Sequence, residues 1–156
     1  VINGYENTLT DLIQLLESSR RAAARSVNAI MTATYWEIGR RIVELEQGGE
    51  KRAEYGAAVI KRLSEDLTGR FGKGFSKTNL EQMRRFYLQW QIAQAPSGKL
   101  DLSALAQGFP LPWSHYVRLL SVQDLKARQF YEIGSITKFQ LQIDSFHDFG
   151  VRLLLK

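Results

Sequence analysis

The sequence predicts an all-α fold, a helix-turn-helix-like bundle of about five to seven helices. Three observations carry that expectation. Residues 1 to 95 contain no proline, and all three prolines (Pro96, Pro110, Pro112) fall in APSGKLDLSALAQGFPLP. Apolar residues recur at intervals of three and four along most of the chain, the period of a helix with one buried face. Few segments alternate apolar and polar residues as a half-buried strand would. The 156 residues suffice for one domain with a real core, so residues 1–156 are read as a single helical domain with no internal repeat.

The first helical segment runs from about Thr8 to Gln47, with Thr8 or Thr10 as cap and Asp11 near the positive end of the dipole. Leu9, Ile13 and Leu16 form one apolar stripe. Val27, Ile30, Met31, Tyr35, Ile38, Ile42 and Leu45 form a second. This is one long helix, or two with a break near Ser18 to Arg21, and Gly48-Gly49 ends it. Within YWEIGRR, adjacent Tyr35 and Trp36 point to different sides, Gly39 lets another helix approach, and Glu37 reaches Arg41 one turn on. The seam from Val27 to Leu45 packs inside the domain or joins two copies.

The second helix spans about Lys51 to Arg70, with Tyr55, Val59, Leu63 and Leu67 inward. FGKGFS makes a turn, and Ser76 caps a third helix that reaches about Ala93. The proline-containing stretch is a loop with a turn of helix at Ser103 to Ala106. Short helices follow at Trp113 to Ser121 and Asp124 to Ile133. A last one begins near Ser135, with Ile136, Phe139, Ile143 and Phe146 on one side.

Hydrophobic residues make up 44% and charged residues 24%, which excludes bulk disorder. Twenty-one Lys and Arg against 16 Asp and Glu leave a net charge of +5, compatible with a polyanion but not demanding one. With no cysteine, disulfides and thiolate metal sites are excluded. Two histidines, His115 and His147, lie far apart, and no metal or other cofactor is expected. No apolar stretch approaches a membrane span and no signal peptide is visible, so the cytoplasm is the default. The start at Val1 and the apolar end VRLLLK are read as those of a fragment.

The net positive charge gathers in one place. From Arg70 to Lys99 there are six basic residues and one acidic, Glu81. On a helical wheel Leu80, Met83, Phe86, Tyr87 and Trp90 share one sector. Lys77, Thr78, Glu81, Gln82, Arg84 and Arg85 lie opposite. A DNA-reading helix needs this division: an apolar face fixes it, and donors on the other face reach phosphates and base edges. Lys73, Lys77, Arg84 and Arg85 are the candidate phosphate contacts. Thr78 and Gln82 are candidates for base or phosphate hydrogen bonds. The bland alternative is a solvated basic surface.

Other motifs carry less. Gly69, Gly72 and Gly74 do not fit a Walker loop and serve a helix stop and tight turn. Asp124-Leu125-Lys126 matches the second half of a metal-nuclease motif, but no strand precedes it, and Asp124 is read as a first-turn acid. In PWSHY, Ser114 is read as a helix cap, Trp113 as a core anchor and His115 as packing or surface. No catalytic residue and no small-molecule substrate are assigned to this chain.

Taken in order, YWEIGRRIVELEQGG, RAEYGAAVIKRLSEDLTGRFGKGFSKTNLEQMRRFY, LPWSHYVRLL and ARQFYE resemble the N-terminal domain of the bacterial YhcG-like family. The resemblance covers most of Leu9 to Ile133. It implies an all-helical N-terminal domain that binds DNA or mediates assembly, joined to a downstream PD-(D/E)xK nuclease domain not present here. Past ARQFYE the chain departs from that pattern: IGSITKFQLQIDSFHDFGVRLLLK lacks the expected tryptophan and has FGVR in place of a Tyr-x-Arg element. The expected function is therefore DNA binding that positions a nuclease. The alternative is a module that dimerises or docks a protein.

Overall fold

The computed structural model describes residues 4–48, 53–90 and 100–154, with side chains described as far as residue 139. Six helices and no strand occur among the described residues: α1 Tyr5–Gly48, α2 Ala53–Phe71, α3 Lys77–Gln89, α4 Leu102–Ala106, α5 Trp113–Leu120 and α6 Leu125–Leu154. The all-α expectation holds.

Neither the break left open near Ser18 nor the one expected at Gly134 occurs. The first segment is one helix of 44 residues, because Ser18, Ser19, Arg20 and Arg21 carry no breaker and tolerate a solvated helix. It begins at Tyr5, so Thr8 and Thr10 lie inside it. Thr10 Oγ1 donates back to the Glu6 carbonyl at 2.9 Å instead of capping. At the other end, α6 runs unbroken through Gly134. A single glycine costs about 1 kcal/mol in a helix, less than the bonds on either side return. Asp124 precedes α6 as its cap, with Oδ1 accepting from the Ala127 amide at 2.7 Å. Ser114 does not cap α5. Pro112 holds that position in an extended conformation (φ −62°, ψ 154°), and Ser114 sits exposed in the first turn. The expected third-helix residues 91–93 and the side chains of Ile143 and Phe146 lie outside the described residues.

The core lies where α3 crosses the C-terminal half of α1, with α4 and α5 closing one side. One cluster gathers Trp36, Phe86, Phe109, Leu111 and Tyr116. Phe86 is its hub, with ring centroids of Tyr116 at 4.9 Å, Trp113 at 5.1 Å and Phe109 at 5.2 Å. A second cluster joins Ile42, Ile60, Leu80 and Met83, through which α2 attaches. Ile60 is the one buried residue of α2, whereas the expected inward positions Tyr55, Val59, Leu63 and Leu67 are half-buried.

The α1–α3 crossing is close because residue 39 is glycine. A Cβ there would lie 2.0 Å from the Met83 carbonyl oxygen and 2.7 Å from its carbon. The seam from Val27 to Leu45 is spent mostly here: Ile42 is buried, Ile30, Tyr35 and Ile38 are half-buried, and Val27, Met31 and Leu45 remain exposed.

Candidate nucleic-acid interface

The basic helix is held by its apolar face as the wheel predicts: Leu80, Met83 and Phe86 are wholly buried, and Tyr87 and Trp90 are half-buried. Its start is built by the sequence before it. Gly72 (φ +80°) takes the left-handed conformation that stops α2, and its amide still donates to the Thr68 carbonyl at 2.9 Å. Gly74 (φ +111°) turns the chain back. Gly69, in contrast, is an ordinary helical residue of α2 and has no part in the stop. Ser76 Oγ then accepts from the Asn79 amide at 3.2 Å, which caps α3 as expected.

Asn79 was not singled out by the sequence pattern, yet it ties three elements together. Its side-chain Nδ2 donates to the Gly74 carbonyl, and its Oδ1 accepts from Trp113 Nε1 at 3.1 Å. The far end of α3 is tied as firmly. Trp36 Nε1 donates to the Trp90 carbonyl at 2.8 Å, and Trp90 Nε1 donates to Glu132 of α6 at 3.0 Å. Arg128, itself buried, stacks over the Trp90 ring 4.7 Å from its centroid. Both ends of the helix are therefore fixed to other elements.

Five of the six candidate residues open onto one groove of about 830 Å³: Lys77, Thr78, Gln82, Arg84 and Arg85. The opposite wall is Glu46 near the end of α1 with Ala53, Tyr55, Gly56, Ala57 and Ile60 of α2. Lys73 stands exposed in the turn and does not line the groove. Lys77 and Thr78 are exposed in the first turn of α3.

The two arginines are not equivalent. Arg84 Nε donates to both carboxylate oxygens of Glu46, at 2.7 and 3.0 Å, and its Nη1 reaches Glu81 at 3.4 Å. The Glu46 hydrogen bonds, opposed in part by burial, raise its guanidinium above the ordinary arginine value. Arg84 therefore joins α3 to α1. Arg85 is exposed, and one of its amino groups donates to the Leu120 carbonyl at the end of α5, at 3.1 Å. Neither partner is visible in local spacing, since they lie 38 and 35 residues away.

No group of three or more His, Asp or Glu side chains placed to hold a metal occurs among the described residues. No described helix is long and apolar enough to cross a membrane. Asp124 caps a helix, and the buried His115 Nδ1 has no hydrogen-bond partner.

An Escherichia coli (strain K12) protein named "Putative nuclease YhcG" is 51% identical over an alignment of 150 residues, which covers 83% of this chain and 40% of that protein. The chain thus spans about two fifths of the length of that relative. No solved structure matches it. The family profile described as the DUF1016 N-terminal domain matches residues 11–142, and to that family this chain belongs.

Proposed function

We propose that this domain binds DNA along the polar face of α3 and so positions a PD-(D/E)xK-type nuclease carried downstream in the same protein or by a partner. The observation that carries this reading is the convergence of Lys77, Thr78, Gln82 and Arg85 on one open groove, with Lys73 beside it in the turn. These groups supply charge and hydrogen-bond donors on a helix fixed at both ends, which is what phosphate contact requires. The nuclease designation of the relative accords with it. Lys73, Lys77 and Arg85 contact phosphates, and Thr78 and Gln82 hydrogen-bond bases or phosphates. Arg84, held by Glu46, chiefly fixes the helix against α1 and offers DNA only its remaining donors. The domain positions chemistry without performing it, uses no cofactor, and works in the cytoplasm.

The test is fluorescence anisotropy of a labelled duplex at two salt concentrations, with the parent chain and a Lys73→Ala/Lys77→Ala variant. Both lysines are exposed. The expected result is salt-sensitive binding by the parent and a log–log salt slope shallower by about 2 in the variant, one unit per phosphate. An unchanged slope, or no binding at low salt, overturns the reading and leaves a solvated basic face.

A further inference from the structure

The strongest unexplained feature is the N-terminal half of α1. Every residue from 4 to 24 is exposed, and the first buried residue of the helix is Thr32. The exposed part includes Leu12, Leu15 and Leu16, with 51%, 61% and 57% of their surface open. At 1.5 Å per residue this arm is about 30 Å long. A helix of that length draws its stability mainly from a packed apolar face, and no other described element packs on this one.

The arm's pattern names its occupant. Tyr5, Leu9, Leu12 and Leu16 are spaced four, three and four, which is a coiled-coil stripe, and Ser19 and Ala23 continue it with small residues. Bulk therefore lies in the first half of the stripe and space in the second. Charge divides the same way: Glu6, Asp11 and Glu17 come first, then Arg20, Arg21 and Arg25. A second arm running antiparallel satisfies both asymmetries. Leu12 meets the partner's Leu16, Leu9 meets the partner's Ser19, and Tyr5 meets the partner's Ala23. In that register Glu6 flanks the partner's Arg20, and Ile13 faces its own copy across the two-fold axis. A parallel pairing stacks Tyr5 on Tyr5 and Ser19 on Ser19 and brings no acid beside a base along the flanks. We infer that two copies of this chain associate through antiparallel pairing of their α1 arms, a self-complementary two-fold interface. This surface lies upstream of the Val27–Leu45 seam, most of which the core has already used, and it does not depend on DNA binding.

Sedimentation velocity over a hundredfold range of concentration tests it. The parent is expected to sediment as a dimer. Leu12→Asp/Leu16→Asp should raise the dissociation constant at least 100-fold while leaving the near-ultraviolet spectrum of the distant core unchanged. Glu6→Arg and Arg20→Glu should each weaken the dimer, and the two together should restore it, because each variant alone sets like charges against each other. A parent that stays monomeric overturns the proposal and leaves the arm to a different protein segment. A dimer that survives the aspartates places the interface elsewhere and also overturns it. Loss without rescue by the paired reversal overturns the antiparallel order.

Discussion

At the scale of single residues, two positions show how tightly α1 and α3 depend on chemistry at their crossing. Gly39 meets the backbone of Met83, not a side chain that can swing away. Gly39→Ala therefore forces the helices apart along a core that includes Leu80 and Phe86. The expected cost is about 3 kcal/mol, read as a thermal midpoint lower by roughly 9 °C. Glu37 is the second. It is buried, and its Oε1 accepts from Arg40 at 2.6 Å and from Arg41 at 2.9 Å. The Arg40 hydrogen bond, partly offset by burial, holds this carboxyl below the usual glutamate range. A carboxylate lowered on folding stabilises fully above its unfolded value of about 4.3, and that contribution is lost as pH falls through the lower folded value. Glu37→Gln should thus cost about 2 kcal/mol at pH 7. The gap from the parent should close as denaturation is repeated toward pH 3, and a gap independent of pH refutes the assignment.

At the scale of elements, the basic helix was legible because its instructions are local. Ser76 is three residues from the amide it caps, Gly72 and Gly74 take their positive φ within one turn, and Leu80, Met83 and Phe86 share a stripe at helical spacing. The ties that orient the helix were not legible. Asn79 pairs with Trp113 across 34 residues and Arg84 with Glu46 across 38, and no periodicity encodes such distances. The same limit explains why a break near Ser18 stayed open and why one was expected wrongly at Gly134, where weak helix formers sit in helices that neighbouring turns carry through. It also explains the Val27–Leu45 seam. A stripe records that a face is apolar, not whether α3 or another chain covers it. Asn79→Ala removes the link between turn, α3 and α5 at once. It should cost about 2 kcal/mol, two hydrogen bonds at about 1 kcal/mol each, and shift tryptophan emission as Trp113 Nε1 loses its acceptor. Unchanged emission and midpoint would show that the Asn79 contacts contribute nothing to holding α5.

At the scale of the whole molecule, the two proposals meet in a single geometric consequence. The basic face belongs to the core, the pairing surface to an arm that leaves it, and the two share no residue. With the two-fold axis near Ile13 and the core beginning near Ala29, each core stands about 24 Å from the axis along the arm, so paired cores are separated by roughly 50 Å. A duplex of about 10 base pairs, some 34 Å long, is too short for both. One of about 40 base pairs spans them, and the second core then binds at a high effective concentration set by the rigid arms. The parent chain should accordingly bind the long duplex at least tenfold more tightly than the short one per site, and Leu12→Asp/Leu16→Asp should abolish that advantage while leaving the short-duplex affinity as it was. Lys73→Ala/Lys77→Ala should weaken both duplexes and leave the dimer intact. If the arm variant instead weakens the short duplex as well, the arm itself contacts DNA, and the separation of roles between α1 and α3 fails.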